Sequence, residues 1–193
     1  MQKKGRCTLI FLVPYAYDRM PSGKPREGVP TNRLGSKARC DVLIGASQQY
    51  RKQAGSNTRC RFVLTAGYTK ESPAIPTEDV KESIAMEMSD YLRSQNVWST
   101  HVHPIAWGTL EETRESIRII SHLSSLNWVI HPRIFVSTNL GHLPRVWLCW
   151  LFLKPKGWRF RFVLANHSFT PKEWFQETAK FFQYLYCFVF KKW

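Results

Sequence analysis

The chain has no Cys-x-x-Cys pair and no regular cysteine spacing. Its cysteines are odd in number and widely scattered, at Cys7, Cys40, Cys60, Cys149 and Cys187. A disulfide framework is typically built from an even set of cysteines, and a structural zinc site from closely spaced ligand pairs. The pattern therefore disfavours both, and it predicts a reducing compartment.

Acidic residues are scarce in two long stretches. Residues 1–61 contain only Asp18, Glu27 and Asp41, and residues 116–172 contain none. The whole chain carries 28 Lys and Arg against 14 Asp and Glu, a formal net charge of +14. Such a field attracts anions in general, including phosphate esters, nucleotides, nucleic acid and acidic lipid headgroups, and by itself selects none of them.

Long apolar runs are also missing. No run approaches the roughly 20 residues that a transmembrane helix needs, and the first apolar run, Thr8 to Val13, is shorter than a secretory signal. We therefore expect a cytoplasmic protein without a transmembrane segment. With 193 residues, 44% of them hydrophobic, the chain has the length and composition of one folded domain spanning residues 1–193.

Short apolar runs and helix-like segments alternate along this domain. Strands are predicted at residues 8–13, 61–65, 133–137 and 159–164, with a weaker one at 97–103. Helical spacing covers residues 33–53, 77–95, 109–126 and 144–153. Near-continuous apolar strands separated by helices indicate an α/β fold, with a parallel five-stranded sheet covered on both faces.

Two further segments have a distinct character. Residues 15–31 are rich in proline, glycine and charge, and they form a long loop directly after the first predicted strand. The segment 170–190 opens with Thr170, Pro171 and Glu173, which is the pattern of a capped helix start. The helix is apolar almost all round from Phe181 to Phe190. We therefore expect this part of it to pack in the core, to form a homodimer contact or to contact a membrane surface.

Ligands of doubly wound sheets bind outside the carboxyl ends of the strands, so the strand-to-helix turns are the first candidates for a site. The turn from Ser137 to Arg145 places His142 and Arg145 at the start of a helix whose amides we expect to be free. Helix amides, an imidazole and a guanidinium together can bind an anion. Thr138 and Asn139 lie in the same turn.

These turns resemble those of the YdcF-like family, which includes the SanA and ElyC proteins. The resemblance covers most of the chain and is carried by the following residues: Arg33-Leu34, Thr65-Ala66-Gly67, Thr109-Leu110-Glu111-Glu112 with Ser116, and Ser137-Thr138 with His142 and Arg145. Ala66 and Glu112 stand where the family has glycine and asparagine. The resemblance implies a Rossmann-like three-layer sandwich, an enzymatic polar pocket and a soluble branch without a membrane anchor.

The leading hypothesis is an enzyme, a hydrolase or transferase, acting on a small anionic substrate that carries phosphate or an adenosyl-type nucleoside. His142 and Glu111 are the catalytic candidates because an imidazole and a carboxylate can exchange protons. The candidate substrate-binding residues are Arg145, Arg33, Gly67, Thr109, Thr138 and Asn139. No metal ligands are assigned, although Glu111, Glu112 and Asp18 are compatible with a metal that has no spacing signature.

Each candidate has a structural alternative. Thr109 and Glu112 have the spacing of a capping box, and the Glu111 carboxylate can compensate the dipole at the start of the helix. Arg145 is alternatively a surface charge paired with Glu111 or Glu112. His101 and His103 share a strand face but lack a third metal ligand.

Two other classes of function remain as alternatives. The same pocket can bind a small ligand or nucleotide without turnover, or the basic chain can dock on nucleic acid or an acidic membrane surface. The basic and aromatic stretch Lys154 to Phe162 suits single-stranded nucleic acid, but an edge strand with alternating exposed arginines is the preferred interpretation. Without an RNA-binding or helix-turn-helix signature, we do not expect nucleic acid as the main partner.

Overall fold

A computed structural model describes residues 8–15, 35–54, 58–66, 84–98, 100–106, 108–127, 129, 132–166 and 171–190. The described strands are β1 (Thr8–Pro14), β2 (Thr58–Ala66), β3 (Thr100–Ala106), β4 (Arg133–Thr138) and β5 (Arg159–Leu164). The described helices are α1 (Gly35–Ala54), α2 (Ile84–Ser94), α3 (Thr109–Leu126), α4 (Leu143–Leu153) and α5 (Pro171–Phe190).

The strands form one five-stranded sheet in which every pairing is parallel, in the order β3-β2-β1-β4-β5. This arrangement confirms the predicted Rossmann-like three-layer α/β fold. The strand order reverses between β1 and β4, which lie side by side with Pro14 opposite Ser137. In such sheets, the crevice at the point of reversal is where ligands bind.

The apolar strands are explained by burial on both faces of the sheet. Ile10 and Leu12 pack with α1 and α2 on one face, whereas Phe11 and Val13 pack with α3 and α4 on the other. Because successive side chains of a strand point to opposite faces, a strand covered on both sides is apolar at every position.

Strand β3 begins three residues later than the predicted strand 97–103. The helix before it closes at Asn96, whose φ of 59° lies in the left-handed region, and the Val97 amide donates to the Leu92 carbonyl at 2.9 Å. Val97 therefore lies in the turn that closes α2, and its side chain packs on the core. The strand continues through Pro104 because β3 lies at the sheet edge, where a missing amide is tolerated.

Helix α5 packs against α4 and has two different apolar faces. Phe188 is buried against Leu148 and Cys149, and its ring stacks on Phe152 with centroids 4.8 Å apart. The opposite side forms an exposed stripe, which consists of Phe175, Phe182, Tyr186, Val189 and Phe190. The predicted all-round apolar character is therefore divided between the core and solvent.

Candidate functional site

The carboxyl ends of β1 and β4 are held together by a chain of buried hydrogen bonds. The Tyr15 amide donates to the Ser137 carbonyl at 3.2 Å, and the Ser137 hydroxyl donates to the Arg39 carbonyl at 2.8 Å. Arg39 in turn donates from Nη1 to the Tyr15 carbonyl at 2.8 Å, and its side chain is fully buried. The crevice therefore has a fixed floor that contains a buried cation.

Arg39 was not among the candidates predicted from the sequence. It lies in the second turn of α1, within a basic stretch that also contains Lys37, so nothing in its neighbourhood marks it as buried. Arg33 and Gly67, which were candidates, lie outside the described residues.

The turn after β4 is closed by Asn139. The Asn139 carbonyl accepts from the amides of His142 at 3.2 Å and Leu143 at 2.9 Å, and the Asn139 Oδ1 also lies 3.1 Å from the His142 amide. The expectation that free helix amides bind an anion is therefore wrong for these two positions, and Pro144 has no amide hydrogen. At these three positions, anion contacts have to come from side chains.

His142 lies in the middle of the crevice, and its exposed fraction is only 5%. Its Nε2 is 3.1 Å from the Thr109 hydroxyl, and the Arg145 Nη2 is 3.3 Å from each ring nitrogen. The turns after β3 and β4 thus meet at this imidazole. Thr109 does not form the expected capping box, because the N-cap of α3 is Gly108 and makes no side-chain cap hydrogen bond.

Burial lowers the pKa of His142 well below its usual value of 6.5, and the positive charges of Arg145, Arg39 and Lys180 lower it further. A protonated imidazole would lose its water contacts and face three cations. His142 is therefore neutral at physiological pH and has a ring nitrogen available to accept a proton or a hydrogen bond.

Arg145 is paired with Glu177 of α5, which the sequence did not identify as a site residue. Their Nη2 and Oε2 atoms are 3.1 Å apart, and the two side chains are 11% and 8% exposed. Lys180 lies 3.4 Å from the same carboxylate, and the Arg145 guanidinium lies 5.5 Å from the centre of the Tyr184 ring. The predicted alternative, a surface pairing of Arg145 with Glu111 or Glu112, is replaced by this buried ion pair.

A sequence signal for Glu177 does exist. It is one of only two acids after Glu115, and it lies in an apolar helix of an otherwise basic half of the chain. A carboxylate in that setting needs a cationic partner when it is buried. Sequence spacing could not identify the partner, because Arg145 lies on a different helix.

Three polar atoms at this turn are buried and have no hydrogen-bond partner within the described part of the chain. They are the Thr138 Oγ1, the Asn139 Nδ2 and the Arg145 Nε. All three can donate a hydrogen bond, and leaving such atoms unpaired costs about 1–3 kcal/mol each. Each of them is therefore a donor for an acceptor oxygen of a ligand.

Tyr15 supports the site through contacts with α3, α4 and His142. Its hydroxyl bonds the Thr113 hydroxyl and accepts from the Trp150 Nε1 at 3.0 Å, and its ring centroid lies 6.3 Å from that of His142. Burial is the main reason that the Tyr15 pKa lies well above its usual value. The phenol therefore acts as a neutral structural group that fixes the wall of the crevice.

The two acids at the start of α3 have different environments. Glu112 is buried, whereas Glu111 is exposed, with its Oε2 atom 3.1 Å from the position that a Cβ on Gly108 would occupy. Glu111 therefore lies at the rim of the crevice, and a side chain at residue 108 would displace it. Asp18 lies outside the described residues.

No group of three or more potential metal-binding side chains occurs among the residues that the structure describes. His103 contacts Glu115 through Nδ1 at 2.6 Å, whereas His101 lies 3.4 Å from Arg61. The two histidines therefore have separate partners.

No protein-family model, curated protein or solved structure matches the chain.

Proposed function

We propose that this protein is a YdcF-like enzyme that binds a small anionic ligand, carrying phosphate or a nucleoside, in the crevice between β1 and β4. The observation that carries the proposal is the set of three buried, unpaired donors on Thr138, Asn139 and Arg145. Phosphate oxygens are strong acceptors, and a guanidinium binds them with charge-assisted hydrogen bonds. Arg145, Arg39 and Lys180 face His142 together with the carboxylate of Glu177, and the three cations favour an anion over a neutral ligand.

Proton transfer is the chemistry that His142 can supply. In a hydrolase or transferase reaction, a bound anion offsets the positive charges around His142, and the neutral imidazole then accepts the proton of the attacking water or hydroxyl group. Through its unpaired Nε, Arg145 then donates a hydrogen bond to the substrate oxygen on which negative charge develops. Glu111, at the rim, is positioned to exchange protons with solvent.

A thiolate nucleophile is not part of this proposal. Burial raises the pKa of the Cys149 thiol to about 12, so this group stays protonated and unreactive at neutral pH.

A binding module without turnover is the second candidate, and the position of Glu111 favours it. Among the described residues, the carboxylate recorded within 4 Å of His142 is that of Glu177, 3.9 Å from Nδ1, and it is already paired with Arg145 and Lys180. Because Glu111 is exposed, the acid and base proposed from the sequence form no buried pair. Turnover assays of His142→Ala and Glu111→Gln distinguish the candidates once a ligand is known, since an enzyme loses turnover and keeps most of its affinity.

The binding proposal is tested by thermal shift with inorganic phosphate, adenosine 5′-monophosphate and adenosine. We expect the two anions to raise the unfolding midpoint, since a ligand at 100 times its Kd stabilises a fold by about 2.7 kcal/mol. Thr138→Val should keep the fold and reduce this shift, because it removes a hydroxyl that bonds nothing else among the described residues.

The control is Thr58→Val, which removes another buried hydroxyl without a described partner. Thr58 lies at the amino end of β2, whereas Thr138 lies at the carboxyl end of β4. It should leave the ligand shift unchanged. Equal shifts in both variants, or no shift with any compound in the wild type, would contradict the proposed site.

We also propose that a second copy of the chain covers the exposed stripe of α5. The stripe spans residues 175–190, about 22 Å at 1.5 Å per residue, which is long enough for an antiparallel helix pair. Analytical ultracentrifugation should find a dimer for the wild type and a monomer for Phe182→Asp. A monomeric wild type at tens of micromolar would contradict this interface.

The compartment that we propose is the cytoplasm. The described cysteines Cys40, Cys60, Cys149 and Cys187 all carry free thiols, as expected where thiols stay reduced. Among the described residues, no helix is both long and apolar enough to cross a bilayer.

A further inference from the structure

A second cavity lies at the amino ends of β4 and β5, whereas the crevice lies at the carboxyl ends of the strands. It has a volume of about 470 Å³, and the lining residues that matter here are Arg133, Arg159, Arg161, Tyr50, Trp158 and Phe160. Strand β4 runs from Arg133 to Thr138, so the two sites are separated by roughly 17 Å at 3.3 Å per residue. This cavity therefore cannot share its ligand with His142.

The register of β4 and β5 brings the arginines of this cavity close together. Arg133 lies directly opposite Arg159 in the pairing of β4 with β5, and Arg161 follows on the same face two residues later. Like charges in this position repel each other. Such an arrangement is stabilised when an anion lies between the guanidinium groups.

No carboxylate pairs with any of these three arginines in the described ranges of the chain, and residues 116–172 contain no acid at all. All three side chains are exposed. Their charges are therefore available to a ligand from solution, in contrast to Arg145, whose charge is paired with Glu177.

The Tyr50 ring shares the sheet face of these charges. The Arg133 guanidinium lies 5.6 Å from the centre of the Tyr50 ring, and the Lys154 ammonium lies 6.0 Å from that of Phe160. Trp158 and Phe160 also line the cavity, but they alternate with Arg159 and Arg161 along the chain and pack on the other sheet face, against α3 and α4. Rings and guanidinium planes stack on flat bases, while the positive charges hold phosphate.

We infer that this cavity binds a nucleotide unit, with the base against the Tyr50 ring and the neighbouring guanidinium planes, and the phosphate between Arg133, Arg159 and Arg161. The volume lies within the roughly 300–1,000 Å³ range of small-ligand pockets. The unit is either a free nucleotide or one residue of a single strand, since both present a base and a phosphate. The net charge of +14 favours approach of either one.

The simpler explanation is that β5 is a charged edge strand. Its exposed arginines alternate as the sequence predicted, and charge on an edge strand prevents pairing with other chains. That role requires neither the cavity nor the aromatic rings around it. It also predicts that no ligand binds saturably.

The test uses fluorescence anisotropy of a labelled 12-nucleotide single strand, with unlabelled adenosine 5′-monophosphate as competitor. Arg159→Gln/Arg161→Gln should weaken binding at least tenfold and lower the slope of log affinity against log salt by about 1.4, which is about 0.7 for each lost cation on a single strand. The matched control is Arg59→Gln/Lys172→Gln, which removes two exposed cations from β2 and α5 and should leave affinity nearly unchanged.

Competition by the mononucleotide identifies a free-nucleotide site, and binding of the strand without competition identifies a single-strand site. Equal weakening in both double variants, or no saturable binding by the wild type, would overturn the inference. The result is independent of the crevice, because Thr138→Val should not affect binding here. Circular dichroism melting of each variant verifies that the fold is retained.

Discussion

Glu177→Gln is expected to lower the free energy of unfolding by about 3–5 kcal/mol, the effect of removing one partner from a buried ion pair. The substitution keeps the shape of the side chain but removes the charge that faces Arg145 and Lys180. Arg145, with a side chain only 11% exposed, would then be a buried cation without its carboxylate. Urea denaturation of the two proteins measures the difference.

A double-variant cycle tests whether the pairing causes this loss. Glu177→Gln combined with Arg145→Met should be less destabilised than Glu177→Gln alone, because no uncompensated charge remains. Asp90→Asn serves as a control, since Asp90 is 66% exposed and lies 3.7 Å from Arg93 at the surface. It should cost less than about 1 kcal/mol. A loss for Glu177→Gln no larger than that of Asp90→Asn would refute the buried pair.

His142 is expected to make the protein less stable as the pH falls below about 6.5, its usual pKa. The folded pKa is lowered, so between the two values the unfolded chain binds a proton that the folded chain does not. Stability is therefore retained above pH 6.5 and lost below it, by at most about 1.4 kcal/mol per pH unit. His142→Gln should remove this part of the slope.

The control for this experiment is His122→Gln. His122 is exposed on α3, where its side chain meets water in both the folded and the unfolded chain. Denaturant titrations from pH 7.5 to 5 should give the wild-type slope for His122→Gln and a shallower slope for His142→Gln. Identical slopes for all three proteins would show that the imidazole is not held neutral.

Most of the fold could be predicted because burial on both sheet faces leaves a strong pattern. Runs such as residues 8–13 and 159–164 agree with β1 and β5 to within a residue. The weak strand at 97–103 was misplaced because Val97 is apolar for a different reason, namely its contact with the core at the end of α2. An apolar residue next to a helix end and one at a strand start look the same in sequence.

The site was predictable only in part. Four site residues were identified because they follow a predicted strand: His142, Arg145, Thr138 and Asn139. The structure brings His142 into contact with Thr109 from the turn after β3. Glu177 was missed because it reaches the turn from another helix. Arg39 was missed because a buried arginine and an exposed one cannot be distinguished in a basic helix.

The central claim is that unpaired donors at the end of β4 capture an anion, and a crystal structure with adenosine 5′-monophosphate tests it most directly. We predict phosphate oxygens about 3 Å from the Thr138 Oγ1, the Asn139 Nδ2 and the Arg145 Nε. Phosphate found only between Arg133 and Arg159, with the crevice donors bonded to other protein groups, would contradict the claim.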